Sequence, residues 1–145
     1  LLDMLKAAGL PPSRLCVEIT EGALIDDPER TCDLLNELRS HGMKLALDDF
    51  GTGYSSLGYL HRFPLLTLKI DRSFVAPLTS PTANQGSASA AVVRAVVALA
   101  GSLGLSVVAE GIETQAQADA LCALGCHLGQ GFLFAKPGPL PASSA

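Results

Sequence analysis

The chain has 145 residues, of which 48% are hydrophobic, and its formal net charge is −4. This length and apolar content predict one domain, or part of one, with ample material for a buried core. The acidic balance excludes general binding to DNA or RNA polymers through an electropositive surface, and we expect no apolar run to be long enough to span a membrane.

Taken in chain order, apolar and β-branched runs alternate with segments of helical periodicity. The predicted strands cover residues 15–21, 45–49, 66–71 and 106–110, with a short fifth strand near 126–130. The predicted helices cover residues 31–40, 90–103 and 115–124, and a glycine follows closely after each of them. This alternation predicts an α/β fold in which parallel strands are joined by helical crossovers. The polar, turn-rich segment 77–89 is predicted to be an exposed loop.

Four acidic side chains lie at the ends of the predicted strands: Glu18, Asp48, Asp49 and Glu110. Because the carboxyl ends of parallel strands meet at one edge of a sheet, we expect these side chains to converge. Carboxylates at such density repel one another and have to bind protons or cations. Hard oxygen donors without His or Cys favour Mg²⁺, Mn²⁺ or Ca²⁺ over zinc. An acidic pair bridging two such ions is a recurring device for activating water against a phosphate ester.

Lys69 and three further acids lie next to these positions. Lys69 shares a strand face with Asp71, at a spacing of two residues. It can stabilise phosphate charge, act as a base if its pKa is lowered, or form a salt bridge with Asp71. Glu21 and Glu113 each follow a strand-end acid by three residues, and we interpret both as braces for loops.

The cysteines and the N-terminus bear on localisation. The four cysteines include no Cys-x-x-Cys pair, so we predict buried free thiols instead of disulfides or a zinc site. The first eight residues lack the layout of a signal peptide and resemble the end of a helix. We therefore expect a cytoplasmic protein, whose parent chain is free to be tethered to a membrane through upstream segments.

Five ordered motifs resemble those of the EAL domain family, bacterial phosphodiesterases that open cyclic di-GMP to the linear dinucleotide pGpG. They are Glu-Ile-Thr-Glu (18–21), Asp-Asp-Phe-Gly-Thr-Gly-Tyr-Ser-Ser-Leu (48–57), Leu-Lys-Ile-Asp-Arg-Ser-Phe-Val (68–75), Val-Ala-Glu-Gly-Ile-Glu-Thr (108–114) and Gln-Gly-Phe-Leu-Phe-Ala-Lys-Pro (130–137). The resemblance implies a TIM-like (β/α)₈ barrel of EAL type. The barrel is incomplete here, with about five C-terminal βα units.

The resemblance also implies roles for individual residues. The implied ligands of a two-metal site for Mg²⁺ or Mn²⁺ are Glu18, Asp48, Asp49 and Glu110. Lys69 matches the lysine that contacts the nucleophilic water, and Gln130 a glutamine that helps to place water or metal. The implied catalytic group is therefore Lys69, Glu18, Asp48 and Gln130. The implied substrate-binding or loop residues are Glu21, Phe50, Gly51, Thr52, Gly53, Tyr54, Ser55, Asp71, Glu113 and Pro137.

The resemblance implies that residues 1–145 form a single partial EAL domain. The N-terminal strands and the Glu-Ala-Leu motif are missing, and 138–145 is a truncated tail. We expect the parent domain to hydrolyse cyclic di-GMP in bacterial second-messenger signalling, and the fragment alone to be inactive.

The resemblance further implies a homodimer and upstream sensor or GGDEF-type domains. Two alternatives stay open. One is a non-catalytic receptor that binds cyclic di-GMP and signals to a partner domain. The other, which the acids alone allow, is a metal-binding barrel that acts on another phosphate ester.

Overall fold

The fold is built on one parallel β-sheet. The computed structural model describes residues 1–24, 27–51, 57–80 and 83–139. In these residues the strands are β1 (Cys16–Thr20), β2 (Lys44–Phe50), β3 (Thr67–Ile70), β4 (Ser106–Ala109) and β5 (Leu128–Gly129). Every neighbouring pair is parallel, and the spatial order equals the chain order. Five consecutive parallel strands are what an incomplete TIM-like barrel contains, so the predicted fold class is confirmed.

Helices precede and connect these strands. They are α1 (Leu2–Ala7), α2 (Pro28–Ser40), α3 (Leu57–Leu60), α4 (Arg72–Val75), α5 (Ala83–Leu103) and α6 (Gln115–Ala123). Short 3₁₀ helices cover Pro12–Arg14, Glu21–Leu24 and Ala76–Thr79. Side-chain caps fix two of the boundaries. The Asp27 carboxylate accepts a hydrogen bond from the Arg30 N–H at the start of α2, and Thr114 and Gln117 form a capping box at the start of α6.

The strands β2 and β3 are buried on both faces, whereas the edge strands β1 and β5 are not. In β2 and β3, Leu45, Ala46, Leu47, Leu68 and Ile70 are each at most 2% exposed. Both residues of β5 are exposed, and β1 alternates between exposed and half-buried positions. Because parallel strands covered on both faces are continuously apolar, the charged residues at their ends project from a firmly packed centre.

The prediction of a loop over 77–89 is wrong, although Asn84, Gln85, Ser87 and Ala88 are exposed as predicted. Residues Ala76–Thr79 form a 3₁₀ helix, and α5 begins at Ala83 instead of near Ala90. Alanine, glutamine and serine are acceptable in a helix, and adding residues to a helix that is already packed on a sheet costs little. Ser89 is even buried. Residues 81–82, and residues 140–145 of the predicted tail 138–145, lie outside the described residues.

Helix α5 also overturns the expectation about apolar runs. Residues Asn84–Leu103 form a stretch of 20 residues that is long and apolar enough to cross a membrane by length and composition alone. Residues 84–89 of this run are small or polar, a composition that favours a loop in the sequence. In the fold, Val93, Val96 and Ala100 of this helix are buried, and the helix packs on β3 and β4. That is the packing of a barrel crossover helix.

The cysteines are free, as predicted, but they are not all buried. Cys126 is buried and Cys32 is half-buried, whereas Cys16 and Cys122 are exposed. Cys16 is exposed because it lies on the edge strand β1. Burial raises the pKa of the Cys126 thiol.

Candidate metal centre

Lys69 is the centre of the predicted site. It lies in β3, one residue before the strand ends, and its side chain is 7% exposed. Its Nζ lies 2.8 Å from Glu18 Oε2, 3.1 Å from Asp48 Oδ1 and 2.5 Å from Glu110 Oε1. These acids project from β1, from β2 and from the residue that follows β4. The predicted convergence of acids from separate strands at one rim is therefore confirmed.

A β-bulge brings the adjacent aspartates to this rim. Asp48 and Asp49 lie between the paired residues Leu47 and Phe50 of β2, while only Lys69 lies between the corresponding partners on β3. Two residues opposite one define a bulge, which re-aims side chains. Asp49 has φ 54°, a left-handed conformation that Asp tolerates better than most residues, and its N–H donates to Asp48 Oδ1 at 3.1 Å.

Asp48, Asp49 and Glu110 form what we call the carboxylate cluster. One carboxylate oxygen from each lies within 4.8 Å of the others, and all three side chains are half-buried. Such a set of hard oxygen donors fits a hard divalent cation. Burial raises the pKa of Asp49, and the neighbouring carboxylates of Asp48 and Asp71 raise it further, against the opposing charge of Lys69. A bound cation would favour the ionised carboxylates.

Glu18 differs from the other three acids. Its side chain is 48% exposed and, among the described residues, it reaches the carboxylate cluster through its ion pair with Lys69. The structure thus gathers three of the four predicted ligands directly and the fourth through a lysine. The ligand roles themselves stay predictions.

The charge of Lys69 decides between the roles proposed for it. Burial lowers the pKa of Lys69, but the hydrogen bonds to Glu110, Glu18 and Asp48 outweigh burial, and the pKa is raised. The raised pKa does not favour the alternative in which a lowered pKa makes Lys69 a base. The alternative of a Lys69–Asp71 salt bridge is wrong, since the ion pairs of Lys69 within the described residues are those to Glu18, Asp48 and Glu110.

Asp71 instead caps a helix beside the site. Its carboxylate accepts a hydrogen bond from the Ser73 N–H at 3.0 Å, at the start of α4. Burial would raise the pKa of Asp71, but the hydrogen bonds from Ser73 and Arg72 and the charge of Arg72 lower it. Asp71 is therefore held as an anion close to Asp49, whose pKa it raises.

Glu21 contacts the start of the loop that follows β2. It is buried, and its Oε2 accepts a hydrogen bond from the Gly51 N–H at 3.3 Å. Gly51 has φ 95°, and a Cβ there would lie 3.1 Å from the Phe74 ring, so glycine suits the position. Phe50 is buried in the core. The contact agrees with the bracing role interpreted for Glu21. The other predicted loop residues, Thr52, Gly53, Tyr54 and Ser55, lie outside the described residues.

Gln130 directly follows β5 and contacts Glu110 at the rim. Its Nε2 donates to Glu110 Oε1 at 2.8 Å, so Glu110 accepts from both Gln130 and Lys69. Its backbone N–H donates to the Ala109 carbonyl at 2.8 Å, and its carbonyl accepts from the Ile112 N–H at 3.1 Å. The placement of Gln130 beside a metal-ligand candidate agrees with its predicted role.

A cleft of about 430 Å³ opens beside Glu110 and Gln130. The predicted residues Glu113 and Pro137 line it. It is also lined by residues that the sequence analysis did not single out, which include Arg72, Phe132 and Lys136. The cleft therefore combines two cationic side chains and an aromatic ring with the acidic rim, a set suited to an anionic ligand with flat rings.

Gln117 is a further residue that the sequence analysis missed. It is buried, and its Oε1 accepts hydrogen bonds from the N–H groups of Glu113 and Thr114 at 2.8 and 3.0 Å. It thereby fixes the loop that carries Glu110 and Glu113. The signal was present, because Thr114-x-x-Gln117 is the sequence pattern of a capping box.

Comparisons with known proteins show the family. The profile of the EAL domain family matches residues 1–137. The cyclic di-GMP phosphodiesterase RocR of Pseudomonas aeruginosa is 48% identical over 131 residues, which are 90% of this chain and 32% of RocR. The bifunctional diguanylate cyclase/cyclic di-GMP phosphodiesterase MucR of the same organism is 46% identical over 130 residues, which are 90% of this chain and 18% of MucR.

Solved structures agree with the fold as well. The PaMucR phosphodiesterase in complex with c-di-GMP has a TM-score of 0.88 at 44% identity, over 96% of this chain and 54% of that one. Klebsiella pneumoniae BlrP1, solved with manganese and with calcium together with cy-diGMP, has TM-scores of 0.82 and 0.81 at 40% identity, over 94% of this chain and 33% of that one. The chain thus spans only part of these relatives. With its motifs, its parallel sheet and its carboxylate rim, the chain belongs to the EAL domain family.

Proposed function

We propose that this protein is a metal-dependent phosphodiesterase that hydrolyses cyclic di-GMP to linear pGpG. The observation that carries the proposal is the rim on which Lys69 contacts Glu18, Asp48 and Glu110 at 2.5–3.1 Å. The relatives that are 48% and 46% identical are named as a cyclic di-GMP phosphodiesterase and as a bifunctional diguanylate cyclase/cyclic di-GMP phosphodiesterase, which supports the function that the motifs imply.

We propose Mg²⁺ or Mn²⁺ in a two-metal site. Asp48, Asp49 and Glu110 would hold the ions together with Glu18, since carboxylate oxygens are the donors that these cations prefer. When bound, the ions would activate water and neutralise charge on the phosphodiester. The manganese and calcium complexes of BlrP1 support a divalent cation at an EAL site.

The chain's own residues then have separate tasks. Lys69 stays protonated and places a positive charge where negative charge develops on the phosphate. Gln130 orients Glu110 through its hydrogen bond of 2.8 Å. Glu21 holds the Gly51 N–H and with it the start of the loop after β2. Arg72 and Lys136 in the adjacent cleft attract an anionic dinucleotide.

The assembly and location are part of the same proposal. We propose that the protein is a homodimer, is cytoplasmic, and carries upstream sensor or GGDEF-type domains. The name of MucR, a bifunctional diguanylate cyclase and phosphodiesterase, supports the last point. The interpretation of residues 1–145 as a partial domain that is inactive alone stays a prediction.

Hydrolysis of cyclic di-GMP by the full-length protein tests the proposal. The formation of pGpG is measured by liquid chromatography with Mg²⁺, with Mn²⁺ and with EDTA, for the wild type and for Glu18→Ala. Glu37→Ala is the matched control, because Glu37 is an exposed acid on α2, away from the rim. We expect pGpG only with metal, a large loss in Glu18→Ala and none in Glu37→Ala.

Two outcomes would contradict the proposal. Tight binding of cyclic di-GMP without turnover would identify a receptor instead of an enzyme. A folded protein that neither binds nor hydrolyses cyclic di-GMP would exclude this substrate, and another phosphate ester would have to be sought.

A further inference from the structure

We infer that Lys69 is the resident counter-ion of the metal-free carboxylate cluster and thereby sets the divalent-cation concentration at which the centre fills. The inference rests on the proposed function, because it assumes that Asp48, Asp49 and Glu110 hold the metal. It adds a second task to Lys69, one performed before any substrate is bound.

The ammonium group of Lys69 has a carboxylate partner for each of its N–H donors. A lysine ammonium has three N–H donors. Three carboxylates, those of Glu18, Asp48 and Glu110, lie within 3.1 Å of Nζ, and the side chain is 7% exposed. Lys69 therefore needs no water to satisfy its donors, and it neutralises part of a charge that would otherwise be carried by clustered anions.

The partners of Lys69 overlap with the candidate metal ligands. Asp48 and Glu110 belong both to the carboxylate cluster and to the ion pairs of Lys69. A divalent cation that binds these carboxylates approaches a positive charge that is already in place. Since like charges in a half-buried site repel strongly, Lys69 lowers the affinity for the cation.

The consequence for the metal-free state has the opposite sign. Without the charge of Lys69, the carboxylates of Glu18, Asp48 and Glu110 would repel one another at the rim without compensation. A neutral residue at position 69 should therefore destabilise the metal-free protein and increase the stability that a bound cation adds. The same substitution thus moves metal affinity and metal-free stability in opposite directions, which a merely structural lysine would not do.

The test measures Mn²⁺ binding by the full-length protein, by calorimetry and without nucleotide. The variants are Lys69→Met, which removes the charge, Lys69→Arg, which keeps it, and Lys44→Met as a matched control, because Lys44 is exposed at the start of β2. We expect Lys69→Met to bind Mn²⁺ about tenfold more tightly or better. We expect Lys69→Arg and Lys44→Met to stay close to the wild type. Unchanged or weaker binding by Lys69→Met would overturn the inference.

Thermal unfolding in EDTA and in Mn²⁺ provides the second readout. Lys69→Met should unfold at a lower temperature than the wild type in EDTA. Adding Mn²⁺ should raise its unfolding temperature by more than it raises that of the wild type. An equal gain in both proteins would contradict the inference. Lys69→Gln, which is also neutral but keeps hydrogen-bond donors, should behave in the same way and serves if the methionine variant does not fold.

The outcome is separable from that of the proposed function. If the wild type does not hydrolyse cyclic di-GMP but Lys69→Met binds Mn²⁺ more tightly, only the proposed function fails. If the wild type is an active phosphodiesterase and Lys69→Met binds Mn²⁺ no better, only the counter-ion inference fails.

Discussion

The two sides of the rim are held together by different forces. Around β1, β2 and β3 the rim is held together by ion pairs, because Lys69 contacts acidic side chains from three elements. Beyond β4 and β5 the rim is held together by backbone hydrogen bonds. There residues 110–114 and 130–137, which we call the loop pair, are joined by hydrogen bonds from Ile112 N–H to the Gln130 carbonyl and from Leu133 N–H to the Ile112 carbonyl.

The difference predicts how each side responds to change. A site assembled by charge responds to isosteric substitutions that alter only charge, and to added cations. A site assembled by backbone contacts responds to added volume. In the loop pair a Cβ at Gly131 would lie 2.2 Å from the Ile112 carbonyl oxygen, a distance that no side chain tolerates. Substitutions that remove charge should therefore act mainly near Lys69, and added volume should act mainly in the loop pair.

The largest effect is expected from Asp48→Asn, which keeps the shape of the side chain and removes its charge. We expect the rate of cyclic di-GMP hydrolysis to fall about 10³-fold, because the carboxylate cluster loses an anionic ligand and Lys69 an ion-pair partner. Steady-state kinetics of the full-length protein measures the effect. Asp33→Asn on the exposed face of α2 is the control. A fall of less than tenfold would mean that charge does not assemble this side.

The second-largest effect is expected from adding one methyl group to the loop pair. Gly131→Ala should lower the free energy of unfolding by about 3 kcal/mol, because its Cβ would collide with the backbone of Ile112. Gly101→Ala is the same chemical change on α5, where nothing lies within 4 Å, and it should be neutral or slightly stabilising. Urea unfolding measures both. Equal effects of the two substitutions would show that the loop pair is not closely packed.

Gln130→Ala tests a side chain of the loop pair that contacts Glu110, the acid that also pairs with Lys69. We expect a loss of about 10–100-fold in metal affinity, because Glu110 loses the hydrogen bond of 2.8 Å that orients it. Mn²⁺ titration measures the loss. Gln115→Ala, which removes an exposed amide that donates to Asp119 on α6, is the control and should bind Mn²⁺ like the wild type. Wild-type affinity in Gln130→Ala would restrict Gln130 to a structural role.

The smallest effect concerns the raised pKa of Asp49. The pKa of Asp49 is higher in the folded than in the unfolded state. The folded protein therefore loses stability as the pH rises from 3.8, the ordinary pKa of Asp, through the raised pKa. In EDTA at pH 7, Asp49→Asn should therefore raise the unfolding temperature slightly, and asparagine tolerates the left-handed backbone. The difference should vanish near pH 3. A lower unfolding temperature at pH 7 would contradict the sign.

The sequence predicted those parts of the molecule that depend on periodicity and on residue type. Strand-end acids such as Asp48 and Glu110 could be placed on one rim because parallel strands share an edge. Helix ends were marked by glycines such as Gly104 and Gly125, which have positive φ angles. The acidic side chains without His or Cys also predict hard divalent cations over zinc, and this choice stays a prediction.

The rest depends on tertiary contacts that no local pattern contains. The start of α5 was missed because packing on the sheet extends a helix into a polar segment. The three ion pairs of Lys69 could not be read from its spacing to Asp71, since its partners come from β1, β2 and the loop after β4. The cleft residues Arg72 and Lys136 were missed because they lie far apart in the sequence.

The most direct test of the central claim, that the carboxylate cluster is a divalent-metal centre, is anomalous diffraction from crystals of the protein grown with Mn²⁺. The account predicts anomalous density in contact with the carboxylates of Asp48, Asp49 and Glu110. Density at other residues only, or an ordered rim without any anomalous density in the presence of Mn²⁺, would contradict it.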